Sequence, residues 1–175
     1  MFRSCALVAC CLALPAAAAV APPSVAYPLR VLPGEEPAFS LTADGVQVYA
    51  CQQVPGDPNA YAWFVQAPDA TLYDGSASMA TLKSPNHFQS LRDLSGVSAV
   101  PLRLQAAGVA NLPWELLHAV PEGDSGLFAN VTSIQRVNTQ GGAPPTGGCD
   151  DTHVGEEARV AFTADYYFYK PAGAG

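Results

Sequence analysis

Two groups of residues in this chain have the types and spacing to do chemistry. The first is Asp150-Asp151-Thr152-His153, followed by Glu156 and Glu157. One imidazole with several carboxylates inside eight residues offers oxygen donors to a hard cation and a nitrogen donor to a borderline one. The spacing matches no calcium-loop template, and clustered acids in a loop are ordinarily solvated. Asp150, Asp151, His153 and Glu156 therefore stand as metal-ligand candidates beside the plainer reading of a surface loop. The second group is Arg136, Arg159, Tyr166, Tyr167 and Tyr169. Rings stack on apolar faces and a guanidinium forks onto oxygens, so these five could form a platform for a glycan or a small carboxylate. Alternating aromatics in a β-domain more commonly divide between core and sheet face.

Other signals point to turns rather than to chemistry. Gly123-Asp124-Ser125-Gly126 copies the tetrapeptide that holds the serine of chymotrypsin-like proteases. Here Leu127 and Phe128 follow where glycine and proline are usual, and a tight turn requires the same residue types. His118 shares an alternating run with Trp114, Leu116 and Val120 and reads as a core or edge histidine; His87 lies in a stretch without clear pattern. No pair of carboxylates stands out as a glycosidase couple. Asn130-Val131-Thr132 is a glycosylation sequon, relevant in a eukaryotic source and placed inside an expected strand. These readings give no catalytic residue and no cofactor.

Charge and cysteine usage bound the setting. Fifteen acidic residues face eight basic ones, with no basic stripe, so nucleic acid is excluded as a partner; phosphate binding needs clustered cations. Arg3, the apolar run Cys5–Leu14, Pro15 and the alanines at 16–19 follow the three-part plan of a signal peptide. A competing pattern, Leu7-Val8-Ala9-Cys10, resembles a lipidation box with a short apolar segment. The apolar run is too short to span a bilayer, where about 20 residues are needed. The expected organisation is a signal peptide at 1–19, a flexible segment at 20–31, one β domain at 32–170 and a disordered tail at 171–175. The expected location is secreted or extracellular, with periplasm or cell surface as the bacterial equivalents. Cys51 and Cys149 are the cysteines left after cleavage; in an oxidising compartment they pair most simply as a disulfide, the alternatives being two thiols or a metal site.

The elements that position these residues are strands. Sixteen prolines and fifteen glycines cut the chain into pieces too short for long helices. Phe39 and Leu41 lead to Asp44-Gly45, a hairpin signal, and Val46 to Cys51 alternates beyond it. Tyr61–Ala67 and Ala70–Tyr73 read as two strands, and residues 74–99 as loops around a short strand, Met79–Leu82. Val100-Leu102-Leu104-Ala106 has a period of two; Leu127–Thr139 and Arg159–Tyr169 are longer strands separated by the Gly/Pro loop Gly141–Gly148. The expectation is an all-β antiparallel sandwich or barrel of about eight to nine strands.

Several blocks are similar to an exported bacterial and fungal family, domain of unknown function 3455: Ala43–Cys51, Trp63–Pro68, Pro113-Trp114, Val131–Gly142, Gly148-Cys149 and Thr163–Tyr169. The resemblance covers about Leu32 to Tyr169. Family members often carry a His-Tyr-Ala-Gly-Pro-Thr-Trp-like run after the fourth strand, where this chain has Asn86-His87-Phe88-Gln89-Ser90-Leu91. Some members are labelled malate dehydrogenase. The residues give that label no support, because Gly141–Gly148 opens no helix and its prolines remove amide donors from any pyrophosphate cradle. The functional expectation is a secreted non-catalytic module that binds a glycan or small molecule or associates with a surface. The alternatives are a metal-assisted enzyme using the 150–157 loop and a structural wall or matrix protein.

Overall fold

Alternating apolar and polar residues, punctuated by proline and glycine, produce strands almost throughout. The computed structural model describes residues 20–174, so the expected signal peptide at 1–19 lies outside the described residues. A 3-10 turn, Tyr27–Leu29, precedes eight strands: β1 Glu35–Gln53, β2 Tyr61–Asp74, β3 Ala77–Lys83, β4 His87–Ser90, β5 Gly96–Gln105, β6 Trp114–Pro121, β7 Ser133–Gly141 and β8 Glu157–Pro171. Each strand pairs antiparallel with its sequence neighbour, and β8 returns to β1. Of the two expected architectures, the chain forms the closed barrel.

The strand boundaries correct several sequence expectations. Asp44-Gly45 lies in the middle of β1 and makes no hairpin. Gly45 sits opposite Ala70 on one side and Phe162 on the other. A β-carbon there would fall 2.3 Å from the Asp69 carbonyl oxygen and 2.4 Å from the Ala70 Cα, so this glycine serves close strand approach rather than a turn. Residues 61–74 form one strand, not two. The stretch 74–99 resolves into β3, β4 and the start of β5, joined at 84–86 by a turn in which Ser84 and Asn86 take positive φ of 51° and 53°. The expected strand at Leu127–Thr139 begins only at Ser133; residues 127–130 form a turn that sends Phe128 and Val131 into the core. The expected tail at 171–175 begins inside β8, and the Ala172 amide donates to Gly34.

An eight-stranded barrel is just wide enough for side chains to fill it, and aromatics do so here. Phe162, Ala164, Tyr166 and Phe168 point inward from β8 and are buried. Phe168 stacks on Phe39 with ring centroids 4.6 Å apart and meets Phe88 edge-on at 5.5 Å, while Phe128 closes on it at 5.4 Å. Full burial of Phe88, Phe128 and Phe168 stabilises the fold by about 1.5–3 kcal/mol for each ring.

Pairing is uneven around the barrel. β3 meets β2 only from Ala70 onward, and β4 meets β5 only at Gly96–Ser98. No strand therefore pairs with the outer edge of 61–69 in β2 or of 100–105 in β5 among the described residues. Both stretches carry a proline, Pro68 and Pro101. The Ala99 amide still donates to Asn86 on the β4 side, and two residues further Pro101 offers that side no donor, which blunts the edge. In this part of β5 the alternating set Val100, Leu102 and Leu104 is exposed, at 57%, 43% and 59%. Val97 and Ala99 are the inward residues, and a register shift between Pro101 and Arg103 interrupts the period.

Candidate functional site

The Cys51–Cys149 disulfide forms, with Cα atoms 5.4 Å apart, and ties the end of β1 to the loop that precedes β8. The Gly155 amide donates to the Cys51 carbonyl, and the Cys51 amide to that of Glu156. Inside this anchored loop Asp150 caps its own turn. Its Oδ1 accepts from the Thr152 amide at 2.9 Å and the Thr152 hydroxyl at 2.7 Å, and lies 2.7 Å from His153 Nδ1. Among the described residues no three His, Cys, Asp or Glu side chains come together as a metal site. Asp150 and His153 meet, Asp151 and Glu156 do not join them, and the loop is a self-capped turn.

That geometry sets two ionisations. Hydrogen bonds from Thr152 and then His153 hold the Asp150 carboxyl down at about 2. The hydrogen bond to Asp150, followed by the charges of Asp150, Glu156 and Asp151, raises the His153 imidazole above its ordinary 6.5. A raised imidazole value contributes stability that is full below the unfolded value, as long as Asp150 stays ionised, and that is lost as pH rises through the folded value. An NMR titration of His153 is expected to show a midpoint above 6.5, and Asp150→Asn to bring it back toward that value. An unshifted wild-type midpoint would contradict the pairing.

The five platform candidates do not assemble, because alternation along β8 sends neighbours to opposite faces. Tyr166 points into the barrel and is fully buried; Arg136 lies beside it from β7 and is also buried. Arg136 Nη2 is 3.1 Å from Glu115 Oε1, and Nε and Nη2 both donate to the Pro113 carbonyl. Burial pushes the Glu115 carboxyl up, against the lowering pull of Arg136, and burial raises the Tyr166 phenol as well. Glu115 Oε2 and the Tyr166 hydroxyl have no hydrogen-bond partner among the protein atoms. Tyr167 faces outward across from Ser40, Arg159 pairs with Asp69 at 2.6 Å on the surface, and Tyr169 is buried on the outer side of the barrel under the N-terminal segment.

The remaining motifs lie in turns and along β4 and β6. Residues 123–126 form the bend after β6, and the following amide of Leu127 donates to Asp93 at 2.9 Å. His87 lies 3.1 Å from Glu122, whose carboxylate also accepts the Ser98 hydroxyl at 2.8 Å. The serine thus bonds the carboxylate and not the imidazole, the wrong order for a nucleophile and its base. His118, expected in a core or edge position, is exposed because Leu117 and Ala119 are the inward residues of β6. Asn130 is exposed in the 127–130 turn rather than inside a strand.

The residues before β1 shape a hollow on the outer wall of the barrel. Leu29 is fully buried against the barrel, its carbonyl takes a hydrogen bond from Gln135 Nε2, and Tyr169 donates to Gln135 Oε1. This clamp holds residues 27–33 over the outer faces of β5, β6 and β7. It leaves a hollow of about 420 Å³ whose wall includes Tyr27, Leu32, Leu102 and Leu116, with Arg30 and Arg103 as its charged groups. A second hollow of about 350 Å³ lies on the other side of the segment and shares Arg30 and Val31. The sequence carried the parts, the apolar Leu29, Val31 and Leu32 around Arg30 and the apolar face of β5, but a segment rich in proline before the first strand reads as a loose lead-in.

The family model described as "Protein of unknown function (DUF3455)" matches residues 33–107 and 83–170. The chain belongs to this family. The two matched segments together take in all eight strands of this DUF3455 protein up to Lys170, both disulfide cysteines and the Glu115–Arg136 pair. The clamped segment before Pro33 lies outside the match. No curated protein and no solved structure matches the chain. Among its described residues no helix is long and apolar enough to cross a membrane.

Proposed function

We propose that this DUF3455 protein is an exported, non-catalytic binding module that takes its ligand on the outer wall of the barrel. The observation that carries this reading is the position of the hollows. Aromatic side chains fill the interior, whereas the hollow of about 420 Å³ lies outside, beneath the N-terminal segment. That volume falls in the range of small-molecule sites, about 300–1,000 Å³. Export is supported by the signal-like pattern at 1–19 and by the disulfide, which belongs to an oxidising compartment. The test is a thermal-shift and calorimetry panel of neutral glycans, apolar acids and aromatic acids on the purified protein. Saturable one-to-one binding of at least one class is expected. No binding to any class, together with recovery of the protein in an insoluble wall fraction, would replace the module with a structural role.

A further inference from the structure

We infer that the outer hollow between the N-terminal segment and strands β5 and β6 is a site for a small amphipathic carboxylate, an apolar chain or ring ending in one carboxyl group. This rests on the binding-module reading and names the ligand class for that hollow of about 420 Å³. Acids outnumber bases fifteen to eight in the sequence, yet the side chains lining the hollow include two arginines, Arg30 and Arg103, and no carboxylate. Among the described residues neither arginine forms a salt bridge, whereas Arg136, Arg159 and Lys170 do. Arg103 bonds only the neighbouring Leu102 carbonyl, at 2.7 Å. Two unpaired like charges on one partly apolar wall repel each other, and an anion seated between them reverses that term.

The rest of the wall selects the ligand's other end. Tyr27, Leu32 and Leu102 are 83%, 68% and 43% exposed, and large apolar side chains gathered at the rim of one hollow mark a binding surface. The polar wall residue Ser133 gives its hydroxyl to Glu35 at 2.9 Å and Thr132 holds the same carboxylate, so the local acid is already engaged. A neutral glycan would leave the guanidiniums unmatched, and an amphipathic amine would add a third cation. A carboxylate can take the forked hydrogen bonds of a guanidinium while its apolar body covers the exposed rings and methyls.

The test is isothermal titration of the purified full chain with decanoate, decanol and decyltrimethylammonium. One-to-one binding of decanoate is expected, weakening as salt is added, with decanol at least about tenfold weaker and the ammonium weaker still. Arg30→Gln and Arg103→Gln should each weaken decanoate several-fold and leave decanol unchanged. Both side chains are exposed, so the variants should fold, and an unshifted melting temperature checks that. Decanol binding as tightly as decanoate, or arginine variants that bind decanoate like the native chain, would overturn the inference. A chain that ignores decanoate but binds another class of the panel loses this inference and keeps the binding-module reading; a chain that binds nothing loses both.

Discussion

Replacing Arg136 with methionine is expected to lower the stability of the barrel by roughly 3–5 kcal/mol, the loss typical when one partner of a buried ion pair is removed. Glu115 and Arg136 are 8% and 6% exposed, and the guanidinium is the countercharge 3.1 Å from Glu115 Oε1. It also satisfies the Pro113 carbonyl through two nitrogens. The double variant Glu115→Leu/Arg136→Met should recover most of the loss, because it removes both charges and leaves a core-like surface. The deficit of Arg136→Met should also depend on pH. Burial already raises the Glu115 carboxyl above its ordinary 4.5, with Arg136 pulling the other way; without Arg136 the shift grows. A raised carboxyl binds more protons folded than unfolded, so its contribution is fullest below 4.5 and falls as pH rises through the folded value. Urea unfolding across that range should show the variant nearest to the native chain in acid. A single variant as stable as the native chain at neutral pH would mean that the pair carries no net interaction.

Removing the disulfide by Cys51→Ala/Cys149→Ala is expected to cost about 4–5 kcal/mol, since the cysteines are 98 residues apart and a loop of that size constrains the unfolded chain strongly. For a domain of this length that corresponds to a fall of about 10–20 °C in the melting temperature. The native state itself should change little. Ala50 already pairs with Glu157, and the backbone bonds between Cys51 and Gly155 and Glu156 hold the loop beside β1 without the sulfurs. Reduction should therefore shift the unfolding transition while leaving the His153 titration in place. A small shift in melting temperature would place the bridge's effect within a denatured state that is already compact.

The all-β class, the β8 run and the cysteine pairing were legible because they rest on local period and compartment. What was not legible is instructive in physical terms. Asp44-Gly45 carries the letters of a turn, but the reason for that glycine is a neighbour strand 25 residues away, which no local window contains. Val100, Leu102 and Leu104 alternate cleanly, yet alternation alone does not say which face turns inward; the bulge at Leu102 and the clamped N-terminal segment decide it. Asp150 and His153 meet within one turn, and the amide and hydroxyl of Thr152 bond the same carboxylate oxygen, a local arrangement that residue spacing alone does not specify. Arg136 and the tyrosines of β8 suggested a surface platform because rings and a guanidinium look alike whether they line a ligand or a core. Only the register of β6, β7 and β8 puts Glu115, Arg136 and Tyr166 side by side indoors.

The unequal pairing around the barrel has a mechanical consequence. β1 and β8 run together from Glu35 to Ala50, and the disulfide closes one end of that long zipper. The opposite wall is latched by a short ladder, His87, Phe88 and Gln89 against Ser98, Val97 and Gly96, with the Ala99–Asn86 and Ser90–Ser95 backbone bonds at its two ends. Native-state breathing should thus be a door with its hinge at the zipper: the latch lets go first, swinging Phe88 and Val97 toward water while the spine stays shut. Pro68 and Pro101 flank that doorway, so a second chain arriving at the moment of opening finds few amides to bond. A protein built this way can loosen on one side without being recruited into intermolecular sheet.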